Sequence, residues 1–291
     1  MRAILSQVLV LLFVLLGFNS QAQTDEYLSK SFDQWDLGLN FGMYWPAKYH
    51  AQFYNGSESN VNKMSYVLGN QYIYNDIKNN LNASDTFFVR ELPSNMRYTG
   101  AFQIGIYLRR TYSNYLGFSL QFDYSKLTAA DKFTIEVDPD FILTEPDIRL
   151  CDIWGIEERV NIDLLMSKYF KTKNPIIIPF FEGGLNISST RVKENKIRIE
   201  NLEYSLVDVY LNGTGYIPNA GQTEYVVQQG GMGLGFSAAV GIKLQFSPQV
   251  SVDPGFRIYY QKIKLEGYEE YRPSFSVFVR LSLADFFSDY E

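Results

Sequence analysis

The chain has 291 residues, 46% hydrophobic and 16% aromatic, with a formal charge of −6, one histidine and one cysteine. An acidic chain without a basic stripe excludes the usual electrostatic route to nucleic acid, and a lone Cys151 excludes an internal disulfide framework. A mean hydropathy of −0.15 is too polar for a bundle of membrane-spanning helices.

The N-terminus reads as an address. Arg2 supplies a positive start, residues 4–16 are apolar, and Ser20 and Ala22 stand at the −3 and −1 positions before Gln23. This pattern predicts a cleaved secretory signal over 1–22, followed by a periplasmic segment over 23–34. Removing Arg2 takes the charge from −6 to −7. No cysteine lies near the cleavage site to carry a lipid anchor. Beyond the signal there is no uncharged apolar window of about 18 residues, so a membrane crossing has to be made by strands.

Eight segments alternate apolar and polar residues with period two. The first, 35–45, sets Trp35, Leu37, Leu39, Phe41, Met43 and Trp45 against Asp36, Gly38, Asn40, Gly42 and Tyr44. A long connection, 46–97, follows. It carries His50, expected as a surface loop histidine, and Ser57 and Ser59 in a turn-like stretch. It also holds a predicted helix capped by Asn60, with a stripe of Val61, Met64, Leu68, Ile73, Ile77 and Leu81 beside Tyr66, Tyr72 and Tyr74. The second strand, 98–109, points Phe102, Ile104, Ile106 and Leu108 outward and Gln103, Tyr107 and Arg109 inward. After a turn at 110–114, the third sets Leu116, Phe118, Leu120, Phe122 and Tyr124 against Ser119, Gln121, Asp123 and Ser125.

The second long connection, 127–152, is acidic, with Asp131, Glu136, Asp138, Asp140, Glu145, Asp147 and Asp152. It lacks the spacing of a calcium loop and reads as a solvated face. The fourth strand, 156–167, turns Val160, Ile162, Leu164 and Met166 out and Arg159, Asn161 and Asp163 in. Past a turn at 171–175, the fifth alternates Phe181, Leu185 and Ile187 with Glu182, Asn186 and Ser188. The third long connection, 190–230, contains strand-like stretches at 192–199 and 204–210, with Tyr204, Tyr210 and Tyr216. The sixth strand, 233–246, is the most regular. A turn at 247–249 leads to the seventh, a shorter loop at 263–272 to the eighth, and a periplasmic tail covers 284–291.

Short turns follow even-numbered strands and long connections follow odd-numbered ones. That asymmetry belongs to outer-membrane barrels with both termini in the periplasm. The predicted fold class is therefore all-β, an eight-stranded antiparallel up-and-down transmembrane β-barrel with long external loops, spanning 35–283. A soluble lipocalin-like barrel would have to expose the Asp, Arg and Gln series to water while filling its lumen with the apolar one.

The lumen carries Asp36, Asp123, Asp163, Glu182 and Asp253 against Arg109, Arg159, Lys243, Arg257 and Arg280. Balanced signs predict a packed, non-conducting interior, because unpaired charge in a narrow lumen is costly. The turn at 247–249 places Lys243 opposite Asp253, and closing the last strand on the first brings Arg280 to Asp36. Asp163 and Glu182 are expected about opposite each other. Two such carboxylates can share a proton or bind a cation, unless Arg159 and Arg257 neutralise them.

One histidine leaves little base chemistry, and one cysteine leaves no His/Cys metal cluster, so no cofactor is expected. The expected role is a non-catalytic binding or accessory component. It would contact a protein or glycan through Tyr66, Tyr72, Tyr74, Tyr204, Tyr210 and Tyr216, as a monomer in outer-membrane lipid. A rim enzyme acting on lipid or peptide through His50 or the Asp163/Glu182 pair is the alternative, and a small porin is the second.

Three stretches carry a family resemblance: Ala22–Gln23 at the signal end, PFFEGGLNI over 179–187, and GLGFSAAVGIKLQF over 233–246. Through them the chain resembles the small outer-membrane β-barrel proteins abundant in Bacteroidota. The resemblance implies the fold and the membrane. The PorT-like group within that class is associated with type IX secretion and gliding.

Overall fold

The computed structural model describes residues 34–83, 86–113, 115–138, 147–170, 172, 174, 176–211 and 215–284. The predicted signal, nearly all of the 23–34 segment, and residues 285–291 of the tail lie outside them. Among the described residues there are ten strands: β1 (Gln34–Trp45), β2 (Phe87–Glu91), β3 (Ala101–Ser113), β4 (Leu116–Val137), β5 (Asp147–Tyr169), β6 (Ile177–Ile199), β7 (Leu202–Ser205), β8 (Gly230–Gln245), β9 (Val250–Lys262) and β10 (Tyr271–Ala284). All pairings are antiparallel. The path β4-β3-β1-β10-β9-β8-β6-β5 returns to β4 through a continuous β4–β5 ladder, so the sheet closes on itself. Short β2 and β7 attach to β4 and β6 outside this ring, which is why the strands number two more than the sequence predicts.

Closure leaves no edge unpaired around the ring, which satisfies the backbone without water. The alternation then sorts the side chains. On β1, Asp36, Asn40 and Tyr44 are buried inside while Leu39, Phe41, Met43 and Trp45 are exposed outside, and the other ring strands follow the same rule. Inward glycines make room for the filling. A Cβ on Gly255 would sit 2.4 Å from the ring of Phe278, and one on Gly155 would sit 2.0 Å from the ring of Tyr54.

The long strands β4, β5 and β6 run past the apolar belt and reverse their polarity. β4 holds one unbroken register against β5 from Leu116 to Val137. Yet its apolar residues face outward up to Tyr124 and inward from Leu127, where Leu127, Ala129, Phe133, Ile135 and Val137 are buried. The segment 127–152, expected as a loop, is therefore strand up to Val137 and again from Asp147. In 190–230 the strand-like stretch 192–199 does continue β6 to Ile199, while 204–210 is strand only at its start, in β7.

These extensions, with the first connection, build a cap. Helix α1 (Lys48–Ala51), a 3-10 turn at Gln52–Tyr54, α2 (Met64–Leu68) and α3 (Gln71–Leu81) pack over the strand ends. Their core joins Phe53, Met64, Ile77, Leu81, Phe133, Ile153, Ile197 and Leu265. The predicted helix falls in two pieces. Asn70, not Asn60, caps the longer piece, its side chain accepting from the backbone N–H of Tyr72 and Ile73. Asn60 instead donates to the carbonyls of Gln52 and Phe53 and accepts from the Tyr268 hydroxyl.

Candidate functional site

Two regions hold the functional candidates: the lumen and the cap. In the lumen, Arg257 and Arg280 converge on one carboxylate. Arg280 grips Glu182 with two bonds of 3.0 Å and also donates to Gln121 Oε1 at 3.0 Å. Arg257 donates to Glu182 at 3.1 Å, to Asp163 at 3.0 Å and to the same Gln121 oxygen at 2.9 Å, and lies 3.5 Å from Asp123. Neutral donors complete the carboxylates. Asn186 and Ser237 donate to Asp163, Asn40 and Gln121 to Asp123, and Tyr107 to Glu182. These groups come from β1, β3, β4, β5, β6, β8, β9 and β10, so the network ties the ring together across its interior.

Several predicted pairings change partner. Asp163 lies opposite Asn186 and Glu182 opposite Ser167, so the two carboxylates are staggered along the strands and share Arg257 rather than a proton. Arg280 stands opposite Asn40, four residues from the Asp36 position, and Asp36 binds Arg109. Arg280 also comes to 3.9 Å from Asp253. Lys243 does stay on the register line of Asp253, between the Gly241–Gly255 and Leu244–Val252 pairs, but makes no ion pair with it among the described residues and lines a small cavity at the turn end with Asp36, Gln245 and Ser251. Arg159 leaves Asp163 alone and pairs with Glu157, which further accepts from Tyr54 and Tyr98. The sequence reading missed Glu157. Its signal was its shared parity with Arg159, hidden because Glu157 falls where the polarity reverses.

The cap uses most of its tyrosines on itself. Tyr66 donates to Asp208, Tyr204 to Asp76 and Tyr210 to Glu224, and Tyr74 stacks on Phe87 at 4.4 Å. Burial, followed by the neighbouring carboxylate, raises the Tyr66 and Tyr204 hydroxyls above their ordinary value. Only Tyr72 and Tyr216 of the six candidates turn half or more of their surface to solvent, at 55% and 50%. A cavity of about 380 Å³ opens in the cap between Phe53, Val61, Gln228, Lys264, Glu266 and Glu269.

His50, expected on the surface, is fully buried, because α1 folds down against the last loop and its Nε2 sits 3.3 Å from the Glu270 carbonyl. Burial first, and the nearby Arg159 charge second, hold its pKa at about 3, so the ring is neutral at ordinary pH. Ser57 and Ser59 share a hydrogen bond with each other. Burial, and then Glu200, pushes the Cys151 thiol up to about 11. In the acidic stretch, Asp152, Glu136 and Asp147 pair with Lys132, Arg90 and Arg149. Asp140 and Glu145 lie outside the described residues. Among the described residues no group of three acidic, His or Cys side chains is placed to hold a metal ion.

No family model matches the chain, and no curated protein does. Solved structures with a similar course include Neisserial surface protein A, at 9% identity and TM-score 0.43, covering 87% of this chain and 97% of that one. The outer membrane protein OprG from Pseudomonas aeruginosa aligns at 6% and 0.39 over 88% and 98%. The attachment invasion locus protein Ail of Yersinia pestis, solved with a heparin analogue, aligns at 6% and 0.35 over 87% and 99%.

Location follows from the molecule's own polarity. No helix among the described residues is long and apolar enough to cross a membrane. The closed sheet carries its apolar face outward and its charges inward, the arrangement of a strand-built membrane protein. The protein sits in the cell outer membrane.

Proposed function

We propose that the protein is a monomeric, eight-stranded outer-membrane barrel of the small Bacteroidota type, with a closed lumen. Its work is done by the external cap, as a non-catalytic binding or accessory component for a protein or glycan. The Arg257–Glu182–Arg280 bridge carries this reading. A lumen crossed by the bidentate Arg280–Glu182 pair and a further Arg257–Glu182 bond, all on fully buried side chains, favours a plug over a pore. The short turns lie at the end that holds Gln34 and Ala284, where the Ala284 N–H donates to the Gln249 carbonyl. That end is the periplasmic one, and the packed cap faces outward.

The sealed, neutral His50 gives no accessible base at the rim, which weighs for contact over catalysis. Exposed Tyr72 and Tyr216 and the mixed polar cavity offer the contact surface. Crosslinking in intact cells tests this directly. A defined partner should be captured by the wild type and lost with Tyr72→Ala/Tyr216→Ala. Retention of every partner by that variant, with activity on lipid or peptide lost in His50→Ala, would return the rim-enzyme reading. Stable ohmic steps in a planar bilayer would return the porin.

A further inference from the structure

The lipid-facing surface changes character along one row of the sheet. On β4, β5 and β6 the outward rows are apolar from Leu116 to Tyr124, covering Phe118, Phe122, Leu164, Met166 and Leu185. The next row toward the cap sets Lys126 beside Glu158 and Glu158 beside Arg191. A β-bulge falls at this height. Ile156 pairs with Glu194 and Glu157 with Val192, so Lys193 is an extra residue. Lys193 and its neighbour Glu194 lie on the solvent side, while Val192 and Asn195 are buried. Bulges re-aim side chains, and this one adds Lys193 to the basic row, where it pairs with Glu158 at 2.9 Å.

Three cations thus stand around one carboxylate. Glu158 also accepts from the Tyr124 hydroxyl below it, and in the row above Glu194 is taken by Lys196 at 3.4 Å. Lys126 and Arg191 have no acidic partner within 4 Å among the described residues, and β8 presents only Gly230 beside Arg191. This local excess of positive charge runs against a chain whose net charge is −6.

The height of the row is informative. Lys168 marks the opposite edge of the same apolar face, its ammonium over the Tyr115 ring. From Lys168 to Glu158 is ten residues of β5, about 25 Å of height for a strand tilted by roughly 40°. That is the thickness of the apolar band of an outer-membrane barrel. The basic row therefore lies where the head groups of the outer leaflet begin.

We propose that Lys126, Arg191 and Lys193 form a binding site for the phosphate groups of an anionic outer-leaflet lipid. Arg191 supplies a fork for phosphate oxygens, the two lysines supply point charges, and the apolar rows below take the acyl chains. The proposal rests on the outer-membrane reading above.

The test uses the full-length protein in phosphatidylcholine nanodiscs, titrated with lipid A and followed by native mass spectrometry. Wild type should retain lipid A. Lys126→Gln/Arg191→Gln/Lys193→Gln should weaken retention on the order of tenfold to a hundredfold, since each basic group near a charged surface contributes comparably. Lys168→Gln, at the other edge, should leave it unchanged. Unchanged retention in the triple variant, equal retention of dephosphorylated lipid A, or full competition by millimolar inorganic phosphate would each overturn the site. Arg191→Gln alone, which removes the fork, should show a partial loss and serves if the triple variant folds poorly. Wild type lacking heat-modifiable gel mobility would remove the membrane reading and this site with it. A shifted wild type with no loss in the variants removes the site alone.

Discussion

The same strands serve two opposite environments, and the membrane half and the cap half of β4 differ only in which parity is apolar. Below Ser125 the lumen side is Ser119, Gln121 and Asp123, and the outer side is Phe118, Leu120 and Phe122. Above it the inner side is Leu127, Ala129, Phe133 and Ile135, and Lys126 and Lys132 face out. Lipid makes the outside of the ring the apolar phase, so polar side chains retreat inward and pair. Water makes the inside of the cap the apolar phase, and the hydrophobic effect takes over there. The lumen is held by charge satisfied across the ring, the cap by buried carbon. A substitution should therefore act through different terms in the two halves.

The largest effect is expected in the lumen. Arg257→Leu leaves Asp123, Asp163 and Glu182 fully buried with one cation fewer, a loss of about 3–5 kcal/mol. Adding Asp163→Asn should recover part of it, because Glu182 keeps Arg280 while Asp123 is left with its neutral donors Asn40 and Gln121. Urea unfolding of the refolded protein in detergent, followed by heat-modifiable mobility, measures both. Equal losses in the single and double variants would show that the network does not hold the ring.

In the cap the corresponding break is Ile197→Ala, which empties space in the core and costs ~2–5 kcal/mol. The effect should be local. Limited proteolysis of the cap should speed up while the heat-dependent mobility shift of the ring is kept. Loss of the shift itself would mean the two halves form one cooperative unit.

This division also explains what the sequence disclosed. The inward and outward registers of the ring strands were legible because lipid enforces strict period two, and nine of the ten predicted lumen charges are buried, with Lys243 half-buried at the turn end. Pairings across the ring, such as Arg257 with Asp163 or Arg280 with Glu182, were not, since closure brings together groups 94 and 98 positions apart. The strand-like pattern at 192–199 did disclose the cap part of β6, but the cap part of β4 was hidden for a different reason. In β4 the apolar series moves from even to odd positions at Leu127, which reads as the end of a strand although the register continues. In β6 the outward Phe181, Leu185 and Ile187 and the inward Ile197 and Ile199 are all odd-numbered because the bulge at Lys193 shifts the parity, with buried Val192 just before it. His50 was misplaced because its burial depends on the Glu270 loop, 220 residues away.

His50 gives the cap an acid sensitivity that the lumen reading does not predict. Its ordinary value of 6.5 falls to about 3 in the fold, so between those values the unfolded cap binds a proton the folded one refuses. The contribution is complete above about pH 6.5 and declines as pH falls toward 3, by ~1.4 kcal/mol per unit. Cap proteolysis should accelerate from pH 6.5 to 4.5 in the wild type, and His50→Gln should flatten that part of the profile. Identical profiles would place the histidine in contact with solvent.

The smallest expected effect separates a tyrosine that builds the cap from one offered to a partner. Tyr204 donates to Asp76 at 2.7 Å, joining β7 to α3. Tyr204→Phe keeps the ring and removes one hydrogen bond to a charged acceptor on a partly exposed surface, a loss of about 1 kcal/mol. Tyr72→Phe, on the same helix as Asp76 with its ring turned to water, should leave cap stability unchanged. Thermal melting of the two variants in detergent, read by cap proteolysis at each temperature, makes the comparison. A loss at Tyr72 equal to that at Tyr204 would mean that the exposed face is itself part of the cap's packing, and the surface left for a partner would shrink to the neighbourhood of Tyr216 and the cavity beside Glu266.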